Sequence, residues 1–259
     1  MHRSTQNINR RDALKCSLVG TAAALTATGS TNTLARAASK PDSAKFYRAD
    51  GSFDPVAAKQ AYYDMMNAFG YPIADSLKTD ELWVADFVQR EFAKLGMGGV
   101  FWLNASGKYG ETGAKEYAGE FKGKNFGYLG HEIYLLPGQM LPEHRHIGGA
   151  EGYGPKMECW LVRYGTVDYF GEYYSGEEKR ISEMPDSEKP WGYGQDWFKS
   201  KYVTSRTGKE GKVYVMADPE SWHFQRAGAE GAIVTEFATY HNHVEFSKPG
   251  MEFASSEAK

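Results

Sequence analysis

From Gly98 onward the chain breaks into short apolar runs that alternate with polar residues and stop at turn residues. The runs are GGVFWLN, GHEIYLLP, HRH, MECWLVR, TVDYFGEYY, KVYVMA, SWHFQ and GAIVTEFATY. On an extended strand, side chains two apart share a face, so runs of this length and period predict strands with one buried face. Their close spacing, with 29 glycines to turn the chain, predicts a mainly β domain of sandwich or small-barrel type. A chain of 259 residues that is 41% hydrophobic can bury a full core.

Two helices are expected ahead of the strands. Asp54-Pro55 supplies an N-cap and first-turn proline for DPVAAKQAYYDMMNAFG, ending at Gly70. Asp80 opens DELWVADFVQREFAKLG, with apolar residues at helical spacing and Gly96 as its stop. Both read as packing elements on the outside of the β domain. The stretch 175–206 is rich in Trp, Lys and Pro without a clear period, and is expected to be a long excursion.

The chemistry concentrates between Gly138 and Gly165, GQMLPEHRHIGGAEGYGPKMECWLVRYG. His144 and His146 share a strand face and can reach one point together. Glu158 adds a carboxylate, and His223 in ADPESWHFQRAG offers a fourth group. Imidazole and carboxylate together are a ligand set for zinc, manganese, iron or nickel. Lys156 and Trp160 share a face with Glu158 in strand geometry. Glu236 lies on a face with Ala232, Val234 and Ala238, where a carboxylate is costly unless paired or functional; a solvated face is the equal alternative. His241 and His243 with Glu245 form a weaker second cluster, and His131 reads as a core or edge histidine. Trp160 and Trp222 flank ligand residues and could stack on a ligand or pack the core.

Gly138, five residues, His144-x-His146, then Glu158, six residues and Gly165 resemble the first motif of the cupins. Pro219-x-x-x-His223 resembles a variant of the second. Eleven residues stand between His146 and Glu158, where cupins usually have three or four, and Ala227 stands where an Asn is common. The insert IGGAEGYGP accounts for the extra length as a loop. Within the cupins, Lys156-Met157-Glu158, SWHFQRAGAEGAIVTEFATYHN and VEFSKPG resemble D-lyxose isomerase-type sugar isomerases.

The resemblance covers roughly 127–250 and implies a cupin-type jelly-roll β-barrel; the strand and helix patterns place that domain at 98–250, with a helical extension over 38–97 packed outside and a tail over 251–259. It implies one divalent ion on His144, His146, Glu158 and His223, manganese first, with zinc or iron as alternatives. It assigns Glu236 and Lys156 to acid–base catalysis on opposite sides of the reacting carbons. By position, Trp160, Trp222, His241 and His243 are the candidate substrate-binding residues, with a structural role as the alternative for each. The implied activity is aldose–ketose isomerisation of a small sugar, in a homodimer. The other readings kept open are lyase or oxygen chemistry at the same ion, and a binding cupin without turnover.

Residues 1–37 resemble a twin-arginine export signal: Arg10-Arg11, an apolar run from Leu18 to Ala27 too short to span a bilayer, and Ala35-Arg36-Ala37 for cleavage before Ala38. A periplasmic mature protein is therefore expected. The signal holds five Lys/Arg and one Asp, which leaves 25 basic and 32 acidic residues, a net charge of −7. No basic cluster remains, which argues against nucleic acid as a partner. Cys159 is the only mature cysteine, so no intrachain disulfide can form.

Overall fold

The computed structural model describes residues 42–87, 90–103, 128–148, 155–173, 178–208, 211–216, 218–239, 243–252 and 254–256. The export signal and His241 lie outside them. Ala38–Lys259 forms one compact unit. Its elements are the helix α1 (Pro55–Phe69) and the strands β1 (Trp83–Asp86), β2 (Gly96–Leu103), β3 (Tyr128–Leu135), β4 (His144–His146), β5 (Glu158–Gly171), β6 (Lys179–Arg180), β7 (Tyr202–Thr207), β8 (Val213–Val215), β9 (His223–Thr239), β10 (Val244–Phe246) and β11 (Ala254–Ser256).

The strands are antiparallel, in the order β11-β1-β2-β3-β9-β5-β7-β6, with β8 on β5 and the β4–β10 pair on β9. This path does not close into a ring. Two long strands organise the molecule. The start of β9 pairs with the end of β5 and touches β4 at His144↔His223, while its second half pairs with the start of β5 and with β3. The bend lies at Gly165 and Gly231, with φ of 73° and 84°. A Cβ on Gly165 would stand 2.0 Å from the Gly231 carbonyl oxygen, so the crossing requires glycine.

The first expected helix forms. Asp54 accepts hydrogen bonds from the amides of Val56 and Ala57, and Gly70 ends α1 in the left-handed region. Its buried face is Ala58, Tyr62, Met65 and Met66, which pack with Val84, Val100, Tyr134 and Ile233. Burying a large apolar side chain contributes about 1.5–3 kcal/mol. Helix propensities differ by only about 0.7 kcal/mol or less for ordinary residues, so packing decides where this helix sits.

The second expected helix does not form. Trp83–Asp86 is strand β1, held between β2 and β11, and Arg90 adopts a φ of 54° that an α-helix excludes. The apolar run was ambiguous because both of its faces are buried. Val84 packs in the layer with α1, while Ala85 and Phe87 face the other core, and such a run fits either element by period alone. Strand content therefore begins within the segment expected to be helical. At the other end, Ala254–Ser256 adds the edge strand β11 where a tail was expected. The excursion packs Tyr193 against Phe198 and Phe198 against Phe224. Phe224 alternates with His223 and Gln225, so the excursion covers the outer face of β9, opposite the candidate ligands.

Candidate metal centre

Three imidazoles converge. The ligand-capable nitrogens of His144, His146 and His223 all lie within 4.8 Å of one another, and all three side chains are buried. The two strands that carry them meet at the His144↔His223 register. Nδ1 of His144 lies 2.8 Å from the Pro142 carbonyl, and Nδ1 of His223 lies 2.8 Å from that of Ser221. Each Nδ1–H donates to its carbonyl, which leaves the Nε2 lone pair for a metal. Burial, reinforced by His223, depresses the His144 pKa to about 3, so its ring stays in the neutral, ligating form.

Glu158 completes the cluster from β5. Its Oε1 stands 3.1 Å from His146 Nε2 and 3.0 Å from His223 Nε2. Oε1 of Glu158 and Nε2 of His223 are fully buried and make no hydrogen bond among the described residues. Buried polar atoms aimed at one another without bonding are the arrangement of ligands around an ion. Burial opposes ionisation of Glu158, but Lys156 first and then His146 and His223 hold its carboxyl well below the usual range. The donor set therefore fits a divalent metal.

Lys156 lies two residues before β5 and is buried. Its Nζ is 3.0 Å from Glu158 Oε2 and 2.6 Å from Glu236 Oε1. Burial alone would strip its charge; the two carboxylates outweigh burial and hold the ammonium above its usual range. Glu236 is only 3% exposed, on a face with Ala232, Val234 and Ala238 that is buried throughout. Its Oε2 accepts a hydrogen bond from Trp160 Nε1 at 3.3 Å. Burial raises the Glu236 pKa, yet Lys156 brings it below the ordinary value. Glu236 comes from β9, whereas Lys156 comes from the residues just before β5 and not from the strand itself as expected. They do not stand on opposite sides of a gap, because the ammonium bridges the catalytic candidate to the ligand carboxylate.

Other expected site residues sit elsewhere. Trp160 belongs to the site as a partner of Glu236, stacked with Tyr169 and Tyr214. Trp222 faces outward, with the Arg145 guanidinium 4.6 Å from its ring centroid. His243 is exposed, just before β10. Glu245 pairs with Arg145 at 2.7 Å, which removes the carboxylate from a second metal cluster. Two residues gain importance. Gln225 is buried on the face of His223, a position its spacing of two already indicated. His131 is buried across from Glu236, which nothing in its own strand announced. A cavity of about 720 Å³ lies apart from this cluster, lined by Met65, Leu136 and Pro137 among others. It lacks the convergent buried polar groups that chemistry needs, so the imidazole cluster is the stronger candidate.

No family model matches the chain. Over 115 residues it is 35% identical to a D-lyxose/D-mannose isomerase of Thermosediminibacter oceani, and over 114 residues 32% identical to a D-lyxose ketol-isomerase of Cohnella laeviribosi. These stretches are 44% and 43% of this chain and 56% of each relative, so the chain matches just over half the length of these curated relatives. The structure is similar to that of the L-ribose isomerase of Cellulomonas parahominis with L-psicose, with a TM-score of 0.52 at 16% identity. That likeness covers 74% of this chain and 90% of the other, and it bears on the fold alone. The fold is of the cupin type, mainly antiparallel β, with one α-helix outside among the described residues.

Proposed function

We propose that this protein is a metal-dependent aldose–ketose isomerase of the D-lyxose/D-xylulose or D-mannose/D-fructose kind. The observation that carries the proposal is Lys156, buried between Glu158 and Glu236 and adjoining the three imidazoles. A metal cradle, a carboxylate outside the ligand set and a cationic donor then share one dry site. The names of the partial-length relatives support the substrate class.

His144, His146, Glu158 and His223 would hold the ion, which supplies Lewis-acid polarisation of the sugar oxygens at C1 and C2. Glu236 takes the proton from C2 as the C–H bond breaks, and the electron pair becomes the C1=C2 bond of an enediol. Lys156 gives a proton to the former carbonyl oxygen. Glu236 then delivers its proton to C1, and the C2 hydroxyl returns one to Lys156 as the ketone forms. Both groups end as they began, so the cycle balances.

A panel of aldoses in D₂O tests the proposal. At least one of D-lyxose and D-mannose should give its 2-ketose, with solvent deuterium entering the transferred position. Neither ketose nor C2 exchange for any sugar overturns it, and a dehydrated product points to lyase chemistry instead.

We also propose that the chain is exported folded and cut before Ala38, with Arg10-Arg11 and the following apolar run in support. Lys at both positions should leave the precursor in the cytoplasm, read by mass spectrometry of the cell fractions. Unchanged export defeats the twin-arginine assignment.

A further inference from the structure

His131 lies directly across from Glu236 in the β3–β9 register and from Phe101 in the β2–β3 register. Its ring is stacked with Phe101 at 4.5 Å and 19°, and with Trp83 at 5.4 Å and 20°. Only a glycine leaves this slot open: a Cβ on Gly99 would be 2.6 Å from His131 Nε2 and 2.4 Å from Trp83 Cζ2. The imidazole is thus held in one plane, with Nδ1 3.7 Å from Glu236 Oε1.

The surroundings choose the tautomer. Nε2 is buried and has no hydrogen-bond partner among the described residues. A proton on Nε2 would leave a buried donor unmet and turn the Nδ1 lone pair on a carboxylate. A proton on Nδ1 instead faces the charge, and the buried lone pair costs less. At 3.7 Å this is a charge–dipole contact rather than a hydrogen bond, one that a small shift of either side chain converts.

We infer that His131 is a positioning residue for Glu236, a donor that holds its Oε1 when Lys156 turns to the sugar; the inference rests on the isomerase proposal above. Glu236 has Trp160 on Oε2 and Lys156 on Oε1. Lys156 must turn from Glu236 toward the sugar oxygen before it can donate there, and the carboxylate, poised to take the C2 proton, then needs another donor to remain an acceptor of fixed orientation. His131 is the group its register brings there. The titratable groups that act on Glu236 are Lys156, Glu158 and Cys159 from the β5 side and His131 from β3. The His131 N–H favours the carboxylate form, so its loss raises the Glu236 pKa.

His131→Phe keeps the aromatic stack and removes the N–H, whereas His131→Asn keeps a donor and loses the stack. The Phe variant should retain its metal and a near-normal KM. Its kcat should fall about 10–100-fold, the usual range for losing a group that orients a functional side chain. The acidic limb of its kcat/KM profile should move to higher pH, and the Asn variant's should stay near wild type. An unmoved limb in the Phe variant, or an equal shift in the Asn variant, overturns the inference. If the Phe variant does not fold, the Asn variant decides alone: a wild-type limb supports the inference and a displaced one overturns it. Titration of Glu236 by NMR in ¹³C-glutamate-labelled, metal-loaded protein reads the same shift without turnover. A wild type that isomerises no sugar defeats the isomerase proposal, while an Glu236 titration unmoved in the Phe variant defeats this one.

Discussion

Glu236→Gln is expected to lower kcat by on the order of 10²–10⁴-fold, the contribution typical of a general acid–base group, with metal content unchanged. The substitution is close to isosteric, and its single amide oxygen can still accept from one of the two donors, Lys156 or Trp160. Lys156 keeps its second partner, Glu158, at 3.0 Å, so no buried charge is left alone. That makes Glu236→Gln a cleaner test than Lys156→Met. Removing the ammonium leaves Glu158 and Glu236 buried without the cation between them, and breaking a buried pair this way costs about 3–5 kcal/mol. Lys156→Met is therefore expected to lower activity, stability and metal affinity together. Near-normal turnover in Glu236→Gln, measured with the best sugar of the panel, moves the proton-transfer role to another residue.

His144→Ala and His223→Ala are each expected to lose the ion and with it the activity. Disturbing a group that merely orients a ligand costs about 10–100-fold in affinity, and deleting a ligand should exceed that. Imidazole and carboxylate donors suit manganese, zinc and iron alike, and manganese is the ion to reload first. Chelated wild type should be inactive and recover with Mn²⁺. Its melting temperature should rise on reloading, since a ligand at 100 times its Kd contributes about 2.7 kcal/mol. Neither alanine variant should respond. Full occupancy in either one rejects the four-residue ligand set.

Within single strands, the sequence was a reliable guide to the site. Alternation put His144 and His146 on one face and set Glu236 among small residues, because a strand's period of two is a local property. Asp54 and Gly70 marked α1 for the same reason: a cap is made by residues a few positions away. The run Trp83–Asp86 was misread because a segment buried on both faces carries no period that separates helix from strand. Pairing over long separations was decided only in the folded chain. His131 and Glu236 are 105 positions apart, and their meeting depends on the β3–β9 register. The bridge from Lys156 to Glu236 spans 80 positions, and it turned two expected opposing catalysts into one ion-paired unit. Residue type and local spacing determined which groups could ligate or carry a proton. Register and the glycine-lined crossing of β5 and β9 decided which of them touch, because contact between distant strands depends on the packing of the whole sheet.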